Sequence, residues 1–481
     1  MATLPQPAPY RPETAILELG DAFYDPVAPA RFPQAILRFR NDRQAAEVGL
    51  DALSDQAWIR HFARFEPLPG NLPQPLALRY HGHQFRVYNP DIGDGRGFLF
   101  AQLRDAQDRL LDLGTKGSGQ TPWSRFGDGR LTLKGGIREI LAAEMLEALG
   151  AETSKSFSLI ETGEALERSD EPSPTRSAIL VRLQHSHIRI GTFQRLAALD
   201  QPENIRKLTD YCLRHYYGDS SGDPARLLDG LAARAARLAA SYIAAGFVHG
   251  VLNSDNIAIT AQSFDYGPWR WTPFWDGNFT AAYFDHGGLY SFARQPEAIH
   301  WNLVQLAIAL RKIAEAEPLT SALETFPGRF QEALRDAIFA RLGIVPADLD
   351  RDMKLVGAIE EALSRQTVTI DRFFFDWRGG RLRDRPHPQP DKPMLAPPLS
   401  YKTAPSYETG EFEPVAGLLA GRQPVPGALD HEYWSDAGPC TMHIEEVETL
   451  WSAIDEADDW APFHAKIAAV RRMGEAIHAN A

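Results

Sequence analysis

The sequence predicts a mixed α+β protein of two lobes, a small β-rich lobe followed by a larger helical one, with an extension at each end. Two paired apolar runs, a helix-patterned segment directly after them, and mainly helical patterns beyond residue 200 indicate this class. At 481 residues the chain exceeds what one hydrophobic core supports. The expected regions are an N-terminal extension (1–75), a β-rich lobe (76–200), a helical lobe (201–385) and a Pro-rich linker with a helical C-terminal region (386–481).

Composition limits the function classes. Hydrophobic residues make up 44% and charged residues 23%, which is typical of a soluble globular protein. A net charge of −13 argues against broad nucleic-acid binding, and no apolar run approaches the roughly 18 residues that a membrane span needs. The N-terminus has no signal-peptide pattern, so we expect a cytoplasmic protein without a membrane partner. The two cysteines, Cys212 and Cys440, lie far apart and are expected to be reduced thiols.

The β-rich lobe is predicted from its local patterns. An apolar pattern at Ala45–Phe65 predicts a helical extension packed on the main body. Residues 97–116, GFLFAQLRDAQDRLLDLGTK, are two apolar runs joined by a polar turn, which predicts a hairpin ending at Lys116. A glycine-rich polar loop follows, and then a helix over 135–150 that Gly150 closes. Apolar runs at Phe157–Glu161 and Ser177–Leu183 predict a second hairpin.

The helical lobe is predicted from longer amphipathic patterns. The segment LDGLAARAARLAASYIAAG predicts a helix capped by Gly246, and WNLVQLAIALRKIAEA predicts a buried helix. Dense prolines between Arg385 and about Gly427 indicate a linker or an extended segment. The stretch HIEEVETLWSAIDEADDWAPFHAKIAAVRRM near the C-terminus is helical in pattern.

Two features of the β-rich lobe are candidate phosphate-binding elements. The sequence NPDIGDGRG places Gly93, Gly95 and Arg96 just before the first hairpin strand, where glycines permit close approach of a phosphate and arginine supplies charge. Lys116 ends the second strand, and Glu139 lies on the following helix, as in the Lys–Glu ion pair of kinases. Taken alone, the glycine-rich segment could also be an ordinary turn. Lys116 and Glu139 could also be solvated surface residues.

The motif HGVLNSDN gives these features a context. Protein kinases carry H-R-D-x-x-x-x-N followed by D-F-G, and His249, Asn256 and the Asp265 of DYG fit that order. A protein-kinase-like fold is therefore expected. The position of the kinase base is Val251, however, and a different carboxylate, Asp255, precedes Asn256. Either the site is an inactive kinase, or Asp255 is the base for a substrate that approaches from another direction; the simplest alternative is a loop held by turn hydrogen bonds.

The segment LVRLQHSHIRIGTF holds two further candidates, Arg182 and Arg189. Seven positions apart on one extended strand, they would face opposite sides, so they converge only if the backbone bends between them. Converging guanidiniums would grip a terminal phosphate; otherwise they are surface arginines. The HGH and HSH pairs (His81, His83, His185 and His187) lack the i, i+4 spacing of zinc enzymes, and we expect core or hydrogen-bonding histidines.

Six blocks within residues 80–310 together resemble the selenoprotein O (SelO, YdiU-type) family of protein adenylyltransferases, which are pseudokinases by sequence. The blocks are YHGHQFRVYNPDIGDGRG, LGTKGSGQTPWSRFGDGRLTLKGGIREIL, VRLQHSHIRIGTF, AGFVHGVLNSDNIAIT, FDYGPW and LYSFARQPEAIHWNLVQLA. The resemblance implies a kinase-like fold in which ATP binds flipped, so that the α-phosphate is attacked. AMP is then transferred to Ser, Thr or Tyr hydroxyls of proteins, with self-modification as a further expectation.

The resemblance also implies roles for individual residues. Asp255 would accept the proton, and Asn256 and Asp265 would hold Mg²⁺ or Mn²⁺. The residues expected around ATP are Gly93, Gly95, Arg96, Asp128 and Gly129 along the site, Lys116, Arg182 and Arg189 on the phosphates, Glu139 behind Lys116, and Asp265. From SYKTAPSYETG onward the likeness is lost, and the terminal cysteine or selenocysteine of many members is absent, so redox control through it is not expected.

Three functions compete at this point. The leading hypothesis is a metal-dependent protein adenylyltransferase, with UMP transfer from UTP and manganese as a variant. A conventional kinase fits the Lys–Glu–Asn–Asp set but not Val251. A non-catalytic nucleotide-binding scaffold is the third.

Overall fold

The computed structural model describes residues 8–169, 171–383, 407 and 410–479. In these residues the protein is a mixed α+β structure, as predicted, in which one large antiparallel sheet precedes most of the α-helices along the chain. Within the same residues, none of the helices combines the length and the apolar character needed to cross a membrane.

The strands lie mainly in the first 184 residues. They are β1 (Pro12–Glu13), β2 (Tyr24–Pro26), β3 (Ile36–Arg40), β4 (Leu76–Leu78), β5 (Gly82–Gln84), β6 (Val87–Asn89), β7 (Leu99–Arg104), β8 (Leu110–Lys116), β9 (Leu131–Thr132), β10 (Lys155–Leu166), β11 (Thr175–Gln184), β12 (Phe247–Val248) and β13 (Arg270–Trp271). The large sheet has the order β2-β4-β7-β8-β11-β10-β3, with β1 beside β7 and β9 beside β11. Strands β5 and β6 form a separate hairpin, and β12 pairs with β13.

Most of the α-helices follow the large sheet along the chain. The helices are α1 (Asp42–Ala46), α2 (Asp55–Phe62), α3 (Leu133–Ala148), α4 (Ile190–Ala198), α5 (Pro202–Cys212), α6 (Pro224–Ala245), α7 (Gln295–Leu310), α8 (Ala316–Glu324), α9 (Phe326–Leu342), α10 (Leu349–Leu363), α11 (Ile370–Asp376), α12 (Glu413–Leu419), α13 (Ile444–Ala457) and α14 (Ala461–His478).

The sheet is covered on both faces. Side chains at alternate positions of β11 enter two different cores: Ile179 and Val181 pack with Trp58 of α2, whereas Leu180 packs with Ile140 of α3. This alternation follows from the two-residue period of a strand. Because neither face of the sheet meets water here, β8 is buried along its whole length, including its last residue, Lys116.

Both predicted hairpins are confirmed. Strands β7 and β8 pair around a polar turn in which Asp105 accepts hydrogen bonds from the backbone N–H groups of Gln107 and Arg109. The second hairpin, β10 with β11, is longer than the apolar runs suggested. The predicted helices at 135–150 and 228–246 correspond to α3 and α6, and Gly246 closes α6 in the left-handed region at φ +69°.

The structure adds detail to one prediction and corrects another. The pattern at Ala45–Phe65 forms two short helices, α1 and α2, because the chain turns at Gly49 (φ +70°), where a Cβ would lie 2.3 Å from the backbone nitrogen of Tyr10. The Pro-rich linker lies partly outside the described residues, at 384–406, 408 and 409. The later part of this segment forms α12, in which Val415 is fully buried. This part is therefore a helix packed on the core and not an extended linker.

The C-terminal helices lie against α3. Helix α14 crosses it so closely that a Cβ on Gly474 would stand 3.0 Å from the Cα of Ala148. Helix α13 reaches the start of α3 through an ion pair of 2.6 Å between Glu448 and Lys134. The helix that carries Glu139 is therefore supported by residues more than 300 positions further along the chain.

Candidate active site

A cleft of about 720 Å³ opens where β8 and β11 meet the loops at 93–97, 117–130 and 255–265. Most of the predicted site residues line it: Gly93, Gly95, Arg96, Lys116, Asp128, Gly129, Arg182, Arg189, Asp255 and Asp265. Of the remaining two, Glu139 stands behind Lys116, and Asn256 follows Asp255 in the chain without lining the cleft.

Lys116 lies between two carboxylates. Its Nζ forms an ion pair with Glu139 of α3 and lies 2.5 Å from Oδ1 of Asp265. Helix α3 begins at a capping residue, Thr132, whose hydroxyl accepts from the N–H of Gly135, so the first turn of the helix is fixed next to the strand end. The structure thus forms the Lys–Glu pair predicted from the sequence.

Asp265 is surrounded by positive charge. The guanidinium groups of Arg182 and Arg189 approach its two oxygens at 3.4 Å each, in addition to Lys116. Burial alone would raise the pKa of this carboxyl, but the three cations hold it well below its usual range. Its backbone has φ +66°, a strained value for a residue with a side chain, which places the carboxylate at this convergence.

Arg182 and Arg189 converge at Asp265, which meets the condition set from the sequence, that the backbone bends between them. Arg182 lies on β11, the strand ends at Gln184, and Arg189 is the N-cap residue of α4, so the chain turns between the two arginines. Arg189 also donates to the backbone oxygen of Asp255 at 2.8 Å and stacks over the ring of Tyr80 at 4.5 Å. The two guanidiniums and Lys116 form one buried cationic cluster.

Asp94 is a buried carboxylate beside this cationic cluster, and it was not predicted from the sequence. Its carboxylate accepts from the N–H of Leu78 at 3.0 Å and approaches Arg189 at 3.4 Å. Burial raises the pKa of Asp94, and Arg189 opposes that shift. Its position between Gly93 and Gly95 could have indicated a place in the site. Its pairing with Arg189 could not be predicted, because the two residues lie 95 positions apart.

Asp255 is the candidate base. It lies in a short helical turn, Ser254–Asn256, and its side chain is buried, with Oδ1 making no hydrogen bond to any described residue. Burial raises the pKa of Asp255 to about 6, although Arg189 partly opposes the shift. A carboxylate with a raised pKa and an unused oxygen, at the wall of a cleft, has the properties of a general base.

The hairpin of β5 and β6 fixes the turn that carries Asp255. The N–H of His83 donates to Oγ of Ser254 at 2.7 Å, and the N–H of Phe85 donates to Oδ1 of Asn253 at 3.0 Å. Between these contacts, Gly82 leaves space for the carboxylate, since a Cβ there would stand 2.9 Å from Oδ1 of Asp255.

We expect Gly82→Ala to lower kcat by about ten- to a hundredfold, because the added methyl group displaces the Asp255 carboxylate from its position. The measurement is the steady-state rate at saturating nucleotide. Gly287→Ala is the matched control, since a Cβ at Gly287 meets no atom within 4 Å. Equal rates for the two variants would contradict the placement of Asp255 in the reaction.

Asn256 and Asp265, the metal ligands expected from the resemblance, each carry a side-chain oxygen of the kind that Mg²⁺ prefers. The amide nitrogen of Asn256 donates to the backbone oxygen of Val251 at 3.0 Å, and its amide oxygen accepts no hydrogen bond from the described residues. These residues contain no group of three or more His, Cys, Asp or Glu side chains able to hold a metal. One amide oxygen and one carboxylate fit Mg²⁺ or Mn²⁺ that also binds substrate phosphates, which is how Mg²⁺ is commonly held.

The glycines at 93–97 line the cleft, as predicted, and also have a packing role. A Cβ on Gly93 would lie 2.5 Å from the Trp123 ring, and one on Gly97 would lie 1.9 Å from the backbone oxygen of Thr115. Close packing of this loop against the neighbouring protein chain therefore requires glycine, whatever binds in the cleft. Arg96 is exposed at the cleft and forms no ion pair within the described part of the chain.

The loop at 117–130 forms an outer wall of the cleft. Asp128 pairs with Arg168 at 2.9 Å and accepts from the N–H of Arg130 at 2.9 Å, so its carboxylate fixes the loop. At the tip, Phe126 is fully exposed, which sequence reasoning did not single out. An unburied aromatic side chain at the wall of a cleft offers a face on which a ligand can stack.

The paired histidines form hydrogen bonds or pack in the core, as predicted. His81 is bonded to the hydroxyl of Tyr88 at 2.6 Å, and His83 to the Gln194 side chain at 2.7 Å. Burial lowers the pKa of His185 to about 4, so its ring is neutral at physiological pH. His187 is buried beside Asp112.

The comparisons with known proteins agree with one another. A family model described as protein adenylyltransferase SelO matches residues 9–394. A protein from Synechocystis is 43% identical over 94% of this chain and 96% of its own length, and one from Gloeobacter violaceus is 42% identical over 96% and 95%. A protein from Synechococcus elongatus is 41% identical over 97% of this chain and 96% of its own. All three are named protein nucleotidyltransferase YdiU.

Proposed function

Since this chain belongs to the SelO family of protein adenylyltransferases and is a nucleotidyltransferase, we propose that it transfers AMP from ATP to Ser, Thr or Tyr hydroxyls of proteins. The observation that carries the proposal is the position and state of Asp255. This carboxylate is buried at the cleft wall with an unused oxygen, while Val251 occupies the position of the kinase base. The base has moved relative to a kinase, so the reacting phosphorus is expected to have moved too.

The proposed reaction proceeds by one displacement at the α-phosphorus. The hydroxyl oxygen of the protein substrate forms a bond to that phosphorus, and its proton passes to the Asp255 carboxylate. The bond between the α-phosphorus and the oxygen bridging to the β-phosphorus breaks, and pyrophosphate leaves. The acceptor includes, as part of the proposal, hydroxyls on the enzyme itself.

The cationic cluster supports binding of the triphosphate. Lys116, Arg182 and Arg189 bring three cationic groups together at the cleft, where their N–H groups can donate to phosphate oxygens. Glu139 holds Lys116 from the other side. Mg²⁺ or Mn²⁺ held by Asn256 and Asp265 would neutralise charge on the triphosphate.

We also propose that the fold is a protein-kinase-like pair of lobes, here a pseudokinase. The order of Lys116 on a strand, Glu139 on the next helix, then Asn256 and Asp265 supports this arrangement. The proposed lobes span residues 76–200 and 201–385, with an extension at each end. Strands β1, β2 and β3 of the N-terminal extension contribute to the large sheet.

The pH dependence of the reaction is expected to follow Asp255. A base acts in its deprotonated form, so kcat/KM should fall by about tenfold per pH unit well below a pKa near 6 and level off above it. The measurement is kcat/KM from pH 5 to 8 at constant ionic strength. The Asp255→Asn protein is the control. If its residual kcat/KM falls at low pH in the same way as that of the wild type, the titrating group is the nucleotide, and Asp255 is not the base.

Analysis of the small-molecule product tests the proposed reaction. With ATP, a protein substrate and the metal ion, we expect pyrophosphate in a one-to-one ratio with modified protein and no ADP. Production of ADP would instead identify a conventional kinase, and neither product would favour a binding scaffold. The same assay with UTP and Mn²⁺ measures UMP transfer.

A further inference from the structure

We propose that the C-terminal helices α13 and α14 hold α3 in the position that lets Glu139 pair with Lys116, and that Arg471 is the positioning residue. The inference rests on the proposed function only in assigning that ion pair to the nucleotide site. It gives a role to a region that lies beyond the matched family model, which ends at residue 394, although the relatives named above align with most of it.

Arg471 makes the central contact between α14 and α3. Its Nε lies 2.8 Å from Oε2 of Glu144, and its Nη2 lies 2.7 Å from Oε1, so the pair is bidentate. The side chain of Glu144 is only 3% exposed, and its Oε1 also accepts from the amide of Asn41 at 3.3 Å. A bidentate pair to a buried carboxylate fixes orientation as well as distance.

Two further contacts keep α3 from shifting along or away from the C-terminal helices. Gly474 lets α14 approach the end of α3 at Ala148, where no larger residue fits without movement. At the other end of α3, Lys134 pairs with Glu448 of α13. Glu139 lies between these two attachment points on the same rigid helix.

The position of α3 decides whether Lys116 pairs with both Glu139 and Asp265 or with Asp265 alone. Lys116 contacts Glu139 and Asp265 together, so each carboxylate limits how closely the ammonium approaches the other. If α3 moves outward, Lys116 pairs with Asp265 alone, and Asp265 becomes less available to a metal ion. Loosening the C-terminal contact should therefore weaken metal binding at a site that Arg471 does not touch.

The neighbouring arginines provide a matched pair for the test. Arg472 pairs with Asp436 and Glu432, which belong to the C-terminal region rather than to α3. Arg471→Ala removes the contact with α3, whereas Arg472→Ala removes a guanidinium of the same size one position along the chain. Both variants are made in the full-length protein.

The primary readout is Mn²⁺ affinity, measured by electron paramagnetic resonance with a non-hydrolysable ATP analogue present. We expect Arg471→Ala to raise the Kd of Mn²⁺ by up to about tenfold, the lower end of the range for loss of a group bonded directly to a metal ligand, and Arg472→Ala to leave it unchanged. Hydrogen exchange of α3 should become faster in Arg471→Ala alone. The double change Arg471→Glu with Glu144→Arg should recover part of the affinity.

Unchanged Mn²⁺ affinity and unchanged exchange of α3 in Arg471→Ala would overturn the inference. If that variant unfolds, Arg471→Lys, which keeps the charge but not the bidentate pair, serves instead with the same two outcomes. Neither readout requires turnover. A wild-type protein that transfers no AMP, together with the expected shift in Mn²⁺ affinity, would reject the proposed function while leaving the role of Arg471 intact.

Discussion

Asp255→Ala should lower kcat by about 10²- to 10⁴-fold, the range expected when a general base is lost. The substitution removes the carboxylate that takes the hydroxyl proton, while the backbone oxygen that Arg189 contacts remains. The affinity for ATP should therefore change little. Single-turnover rates and equilibrium nucleotide binding, measured on the same preparation, separate these two effects.

Asp255→Asn is the control for shape, since it keeps the size of the side chain and loses the basicity. It should be as impaired as Asp255→Ala. Full activity in either variant would exclude Asp255 as the base, and a large loss of nucleotide affinity with an unchanged rate constant would assign it to binding instead.

Arg189→Ala should weaken nucleotide binding by about 10²-fold or more, because truncating one member of a buried charge network costs several kcal/mol. The change removes a positive charge that neutralises two buried carboxylates, Asp94 and Asp265. It also removes a cation from the phosphate site. It should also lower the free energy of unfolding by about 3 kcal/mol. Calorimetric titration with ATP and urea denaturation measure the two quantities.

Arg195 on the same helix is the matched control. Its guanidinium donates to the backbone oxygen of Ala22, away from the carboxylates that Arg189 contacts. Arg195→Ala should bind ATP with nearly wild-type affinity. Comparable losses of affinity in the two variants would contradict the assignment of Arg189 to the phosphates.

Much of the site was predictable because its residues carry local signals. Lys116 ends an apolar strand, Glu139 lies on the next amphipathic helix, and Asp255 lies in a recognisable motif, so chain order alone related them. For Arg182 and Arg189, the sequence showed only that the two side chains could converge if the chain bends between them. The structure meets that condition where β11 gives way to α4.

Other features depend on contacts that leave no local pattern. The pairing of Arg471 with Glu144 joins residues 327 positions apart, and each is an ordinary helix residue in the sequence. Strands of two or three residues, such as β1 and β2, are too short to show the alternation that identifies a strand. The close packing of Gly93 and Gly97 against Trp123 and Thr115, which also requires glycine, could not be predicted from the loop sequence, because Trp123 and Thr115 lie in other segments of the chain.

ATP labelled at the α-phosphate in one reaction and at the γ-phosphate in another, supplied to wild-type and Asp255→Ala proteins, distinguishes AMP transfer from phosphorylation. We expect protein to retain label from the α-phosphate only, and to retain far less of it with Asp255→Ala than with the wild-type enzyme. Retention of the γ label without the α label would show phosphoryl transfer and contradict the central claim that this site transfers AMP.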